Sequence, residues 1–267
     1  MTRFRLLAIL VVALLLGGAG LGAFWMKTGR MPWEAQRGAI LTAISADAAR
    51  RDVDAVLLGA PDYAPFFAAL NAAYPNDHER LLAKFASRRA LAGASETADL
   101  YVTDAVSTLT QTRGSMAARA AAPELDAIFA SQAKVAGALA ESDARLCVDF
   151  IYGNTSQGYF AFAAKHRPLI AEMARAGLNA IITGAKSQVE RGPPSESDLT
   201  QFEKALTASG LARPEIEAFI DGKPPDPPIT DARLCQAGRT YFDVLRGLEE
   251  PVRMRIYGHA VESMAHS

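Results

Sequence analysis

The sequence predicts an all-α protein, in which an N-terminal transmembrane helix is followed by an extracytoplasmic domain of about nine to eleven helices. Three observations lead to this prediction. Alanine makes up roughly a fifth of the chain and aromatic residues only 8%, a balance that favours helices over strands. After Trp33, apolar residues recur at three- and four-residue spacing with no run of alternation. One long uncharged segment stands near the N-terminus.

The overall composition excludes two classes of protein. The chain has 267 residues, of which 50% are hydrophobic, and its 28 Lys and Arg against 29 Asp and Glu give a formal net charge of -1. A disordered chain would be poorer in apolar residues, and a nucleic-acid-binding protein would carry a basic excess. We therefore expect a folded protein with no nucleic-acid partner.

The uncharged segment spans residues 6–26 and follows Arg3 and Arg5. A helix needs about 20 apolar residues to cross a membrane, so this segment is long enough. The prediction is a cytoplasmic tail at 1–5, a signal-anchor helix at 6–26 and a single helical domain at 27–267.

A cleaved secretory signal is the alternative to an anchor. Its shorter apolar region would run from Leu6 to Leu16, with Gly20 and Gly22 close to a cleavage site. The apolar run continues to Trp25, and an aromatic residue at this position is typical of a membrane–water interface. The aromatic end favours the anchor, and cleavage remains open.

Basic residues flank both ends of the segment, so their count alone does not orient it. The short tail and the cysteines described below favour a single pass through the cytoplasmic (inner) membrane with the C-terminal domain in the periplasm. Gly18 and Gly22 have the spacing that lets two membrane helices approach closely, which is compatible with a homodimer. Small residues also collect at the end of signal segments, so this spacing has a second explanation.

Beyond the membrane segment, apolar stripes and helix breakers define the helices. Ile40, Leu41, Ile44 and Ala48 share one stripe, and the run from Leu125 to Leu139 forms another. Pro123 and Pro251 each suit the first turn of a helix, the second one opening an apolar helix at the C-terminus. The predicted breaks are 59–61, 74–77, 93–95, 153–158, 191–196 and a Pro-rich strap at 221–228.

The chain has two cysteines, Cys147 and Cys235, and both end the same string, Asp-Ala-Arg-Leu-Cys. In each copy the acidic residue, or the Ser142 or Thr230 before it, can cap a helix start. Two equivalent turns would then present two equivalent thiols, and an extracytoplasmic compartment would oxidise them. The sequence therefore predicts a disulfide, which would join the segments on either side of the strap into one domain. Two buried free thiols are the alternative.

Aromatic residues surround a polar, glycine-containing turn after the first cysteine. Tyr152, Asn154, Tyr159 and Phe160 form the candidate binding region, because aromatic side chains beside a polar loop can bind a ligand. The same aromatic residues, together with Phe162, could instead be core contacts between adjacent helices.

The terminal helix contains the only metal-site candidate. His259, Glu262 and His266 are spaced so that they share one helix face. The usual helical zinc pair is four residues apart and His266 is penultimate, so a solvated face is the competing interpretation.

No catalytic or cofactor motif is recognisable. There is no Gly-x-Ser-x-Gly elbow, and although Gly153 and Gly158 match the outer glycines of a phosphate loop, Tyr159 and Phe160 stand where that loop requires Lys and Ser or Thr. The sequence therefore favours a non-enzymatic, cofactor-free protein: a membrane-anchored interaction or accessory module of the cell envelope. The alternatives are an extracytoplasmic domain that binds a small ligand and a hydrolase without a recognisable motif.

Overall fold

A computed structural model describes residues 46–92, 96–220 and 225–266, and every regular element in these ranges is helical. The all-α prediction is therefore confirmed. A 3-10 helix at Pro61–Tyr63 accompanies the α-helices, which are α1 Ala46–Leu58, α2 Ala64–Ala73, α3 Pro75–Ala92, α4 Ala98–Ala117, α5 Ala122–Ser142, α6 Ala144–Ile151, α7 Gln157–Lys165, α8 Arg167–Ser187, α9 Glu196–Ala208, α10 Arg213–Ile220, α11 Asp231–Gly247 and α12 Glu250–Ala265.

The described part of the chain has twelve α-helices, slightly more than the sequence predicted. One reason is that some neighbours are separated by a single residue. Asp143 has extended backbone angles between α5 and α6, and its side chain accepts hydrogen bonds from the backbone N–H groups of Arg145 and Leu146. A cap of this kind ends one helix and starts the next without a loop.

The predicted tail at 1–5, the predicted anchor at 6–26 and the Gly18–Gly22 pair lie outside the described residues. Within the described ranges, no single helix is both long and apolar enough to cross a membrane. One bent pair, Asp47–Leu58 with Pro61–Ala73 at 92°, meets the length and composition requirements together.

The described residues form one compact unit. Its central helix is α8, which packs against α4 and α5, while α12 packs against the same two helices. The interior includes closely stacked rings, with Phe129 and Tyr257 centred 3.7 Å apart and Phe85 and Tyr101 4.6 Å apart. Helix α11 packs against α5, α6 and α9, and α1 packs against α3.

Several helix starts follow from local sequence. Pro123 and Pro251 lie in the first turns of α5 and α12, as predicted. Ser195 caps α9 through a capping box, in which its side chain accepts a hydrogen bond from the Asp198 N–H and the Asp198 side chain accepts one from the Ser195 N–H. This cap ends the segment 188–194, which forms a wall of the candidate site described below.

Candidate functional site

The two cysteines lie together in the fold. The Cys147 and Cys235 sulfur atoms are 1.99 Å apart and their Cα atoms 5.7 Å apart. These are distances of a disulfide bond. The predicted pairing of the two cysteines is therefore confirmed at the level of distance.

The helices that carry the cysteines, α6 and α11, run side by side in the same direction. The Arg145 guanidinium lies 3.6 Å from the Asp231 carboxylate near the two helix starts. The cysteines follow two residues after Arg145 and four residues after Asp231. Beyond them, a Cβ atom added to Gly238 would lie 2.4 Å from the Ile151 side chain. Contacts thus follow the same order along both helices.

The two copies of the repeated string begin their helices one residue apart. In the first copy Asp143 is the capping residue, whereas in the second Thr230 caps the helix by accepting a hydrogen bond from the Arg233 N–H. The repeat therefore presents two thiols to each other without making the two helix starts identical.

The predicted binding region is divided between the interior and the surface. Tyr159 is only 4% exposed, whereas Tyr152 is 42% exposed and stacks on Phe219 with the ring centres 5.9 Å apart. Asn154 is exposed, and Phe160 is half-buried beside Tyr159. These side chains therefore face different environments, and Tyr159 has the burial of a core residue.

Near Tyr159 lies a buried polar network centred on Asp99. The Tyr63 hydroxyl donates to Asp99 Oδ1 at 2.7 Å, and Arg167 donates to both carboxylate oxygens at 3.0 and 3.1 Å. Burial, aided by the negative charge of Asp99, raises the pKa of Tyr159 to about 12. Because Tyr63 and Asp99 have no exposed surface, this network holds α4 and α8 together rather than facing a substrate.

The predicted metal-binding residues are only partly brought together. His266 Nε2 lies 2.9 Å from Glu262 Oε1, and His259 is exposed one turn before Glu262. No group of three His, Cys, Asp or Glu side chains in the described ranges is arranged to hold a metal ion. Of the three predicted residues, the structure therefore brings only Glu262 and His266 into contact.

The structure also contains a surface groove beside α12 that sequence reasoning missed. It consists of two adjacent clefts with volumes of about 520 and 500 Å³, which share the residues 189–192. The α12 residues that line them, among them Glu250, Met254, Gly258 and Glu262, recur every four positions and so share one helix face. We call the larger cleft, next to His259, the His259 cleft, and the two clefts together the α12 groove.

The opposite wall of the groove is the segment 188–194, which is fixed to the turn between α4 and α5. Gln188 ends α8 in a left-handed conformation with φ 45°. The Val189 N–H then donates to the Arg119 carbonyl at 2.9 Å, and Arg191 Nη1 donates to the Ala118 carbonyl at 3.1 Å. These bonds keep the segment away from α12 and leave the groove between them.

At one end of the groove, Arg255 is fixed by a carboxylate. Its Nη2 and Nε atoms lie 2.6 and 2.8 Å from the two Asp198 carboxylate oxygens. The Arg255 guanidinium, with help from Ser195, holds the pKa of the Asp198 carboxyl well below its usual range. Arg255 is therefore already neutralised by its own chain.

Arg191 differs from Arg255 in this respect. Within the described ranges, it is the one buried or half-buried arginine that has no carboxylate at ion-pair distance. The arginines with a carboxylate partner are Arg50, Arg88, Arg89, Arg113, Arg167, Arg233, Arg253 and Arg255. Burial lowers the pKa of Arg191, so its positive charge has a desolvation cost that no ion pair among the described residues offsets.

The comparisons with known proteins add no functional information. No protein-family model matches this chain, and searches of curated proteins and of solved structures give no match.

Proposed function

We propose that this chain is a membrane-anchored interaction or accessory module of the cell envelope, whose helical domain stands outside the cytoplasmic membrane. The observation that carries the proposal is the Cys147–Cys235 pair at disulfide distance. Disulfides persist in oxidising compartments and are rare in the cytosol. The apolar segment at 6–26 supplies the tether in this proposal.

The α12 groove is the surface that we assign to the partner. Its α12 face, from Glu250 to Glu262, extends over about 18 Å at 1.5 Å per residue. The groove combines apolar side chains such as Met254 and Val189 with charged ones on both walls. Such a mixed surface suits a partner that is held by shape and by a few polar contacts.

Topology is tested with alkaline phosphatase fused to the C-terminus of the full chain. We expect an active fusion, because phosphatase folds productively only where its own disulfides form. A matched fusion that lacks residues 1–26 should be inactive. An inactive full-length fusion contradicts the extracytoplasmic placement, and the mass of the mature chain distinguishes a retained anchor from a cleaved signal.

The partner surface is tested with a photocrosslinking amino acid at Val189 in intact cells. Val189 lies in the groove and is 36% exposed, and Leu199 on α9 offers a matched control with the same exposure outside the lining of the two clefts. We expect a discrete adduct from position 189 and none from position 199. Equal labelling at both positions contradicts the assignment of the groove.

A small-ligand-binding domain is the second candidate function. The His259 cleft favours it, because about 520 Å³ falls within the range of small-molecule sites. A thermal-shift screen of the full-length protein against small metabolites separates this candidate from the first. A ligand that raises the unfolding temperature, together with no adduct at position 189, supports the second candidate alone.

A further inference from the structure

We propose that the His259 cleft binds a carboxylate group of a ligand or partner, and that Arg191 is the residue that receives it. This inference rests on the proposed function in one respect, which is that the α12 groove is the binding surface. The carboxylate is the chemical class of the bound group, supplied by a peptide terminus or by a small organic acid.

The main argument is the unmatched charge of Arg191. The described part of this chain gives every other buried or half-buried arginine a carboxylate, as it does for Arg167 with Asp99 and for Arg255 with Asp198. Arg191 instead has one bond, from Nη1 to the Ala118 carbonyl. A guanidinium has five N–H donors in a planar fork that matches a carboxylate. The fork of Arg191 therefore keeps donors for a group from outside the described chain.

The position of Arg191 is also fixed before any ligand arrives. Its Nη1 atom is bound to the turn after α4, and its Cδ atom would lie 3.6 Å from a Cβ atom added to Gly258. The side chain thus lies against α12 at a residue that has no side chain of its own. Pre-positioning of this kind lowers the entropy lost when a carboxylate binds.

Other charged groups in the cleft indicate which anion fits. Arg119 lines it as a second cation, His259 contributes an imidazole, and Glu190 and Glu262 contribute carboxylates. Glu262 is bound to His266, whereas Glu190 is exposed. Two nearby carboxylates repel a doubly charged phosphate more strongly than a singly charged carboxylate. The charges therefore favour a monovalent anion in this cleft.

The test uses the full-length chain in detergent and four probes: N-acetyl-trialanine, its C-terminal amide, butyrate and inorganic phosphate. Phenylglyoxal modifies arginine side chains, and mass spectrometry reports the extent at each residue. We expect N-acetyl-trialanine, butyrate or both to protect Arg191 and to leave the exposed Arg175 on α8 unprotected. The amide differs from the first probe only in its carboxylate and should give no protection.

Variants assign the effect to the cleft. We expect Arg191→Gln to weaken binding of the effective carboxylate about tenfold or more, which is the effect of one charged hydrogen-bonded contact. Because Arg191 also holds the 188–194 segment, Arg119→Gln provides a second variant at an exposed position. It should fold normally and weaken the same binding. Arg175→Gln is the matched control and should bind as the wild type does.

Each outcome bears on one proposal. Protection by N-acetyl-trialanine alone identifies a peptide terminus, and protection by butyrate identifies a free organic acid. No protection by either, equal protection by the amide, or stronger protection by phosphate overturns the carboxylate assignment. If Arg191→Gln loses carboxylate binding but keeps the Val189 adduct, the carboxylate assignment is supported and the partner binds the groove without Arg191. If the wild-type protein binds the carboxylate but gives no Val189 adduct, only the interaction module is contradicted.

Discussion

Asp99 shows how a single buried charge organises this protein. Its carboxylate has no exposed surface and receives hydrogen bonds from Tyr63 in the 3-10 helix and from Arg167 at the start of α8. Arg167 is bidentate, the arrangement in which an arginine and a carboxylate interact most strongly. The network joins three segments that are remote in sequence, so its disruption affects their packing together.

We predict that Asp99→Asn lowers the free energy of unfolding by about 3 kcal/mol, because Arg167 loses its counter-charge in a partly buried setting. Urea denaturation of the full-length protein, followed by circular dichroism, measures this change. Glu172→Gln is the control, since Glu172 pairs with Lys134 on the surface and such pairs contribute little. A similar loss in both variants contradicts a special role for Asp99.

Buried tyrosines predict a loss of stability at alkaline pH. Burial raises the pKa of Tyr159 to about 12, and Tyr63 is also raised, by burial and by its bond to Asp99. An unfolded tyrosine ionises near pH 10. Above that pH the unfolded state releases protons that the folded state retains, so the stability present below about pH 10 declines as the pH rises toward 12. The measurement is the urea midpoint of unfolding as a function of pH. In Tyr159→Phe this midpoint should decline less steeply between about pH 10 and 12 than in the wild type. If the midpoint of the variant depends on pH as steeply as that of the wild type, the raised pKa of Tyr159 is contradicted.

At the scale of helices, Gly184 permits the close approach of α8 to the end of α4. A Cβ atom at this position would lie 1.9 Å from the Met116 carbonyl oxygen, whereas one at Gly177 in the same helix would meet nothing within 4 Å. The two glycines therefore have opposite roles. Gly184 is required by backbone packing, and Gly177 only adds flexibility to the helix.

The expected effects of alanine at these glycines have opposite signs. Gly184→Ala should destabilise the protein by about 1–3 kcal/mol, because helix α4 has to move away from the new methyl group. Gly177→Ala should stabilise it by about 0.5–1 kcal/mol, because alanine favours the helix. Urea denaturation of the two variants in parallel gives both values. A Gly184→Ala protein as stable as the wild type would show that the helices separate without cost.

Helix boundaries were predictable where the signal is local. Pro123 and Pro251 mark helix starts in the sequence, and the structure places a start at each. The repeated string Asp-Ala-Arg-Leu-Cys was informative for the same reason. The capping residue and the cysteine lie within about one helical turn of each other, so both can be recognised from the local sequence. The contact at Gly184 was not predictable, because it depends on which helices become neighbours.

For the molecule as a whole, the α12 groove shows the limit of sequence reasoning. Three remote segments line it, at 118–122, 189–193 and 250–262. Arg191 has no carboxylate partner among the described residues, and this property depends on which side chains become neighbours in the fold. The aromatic region at 152–160 was conspicuous in sequence, yet Tyr159 lies in the interior.

The cysteine pair predicts how the whole unit responds to reduction. Closing a loop between residues 88 positions apart removes about 4–5 kcal/mol of unfolded-chain entropy. We expect dithiothreitol, or the double variant Cys147→Ala with Cys235→Ala, to lower the free energy of unfolding by up to this amount. Urea denaturation measures it, and alkylation followed by mass spectrometry checks the oxidation state. Each single variant should match the double one, because either substitution removes the same bond. Two freely alkylated thiols in the denatured, unreduced protein, or stability that reductant leaves unchanged, would contradict a covalent link.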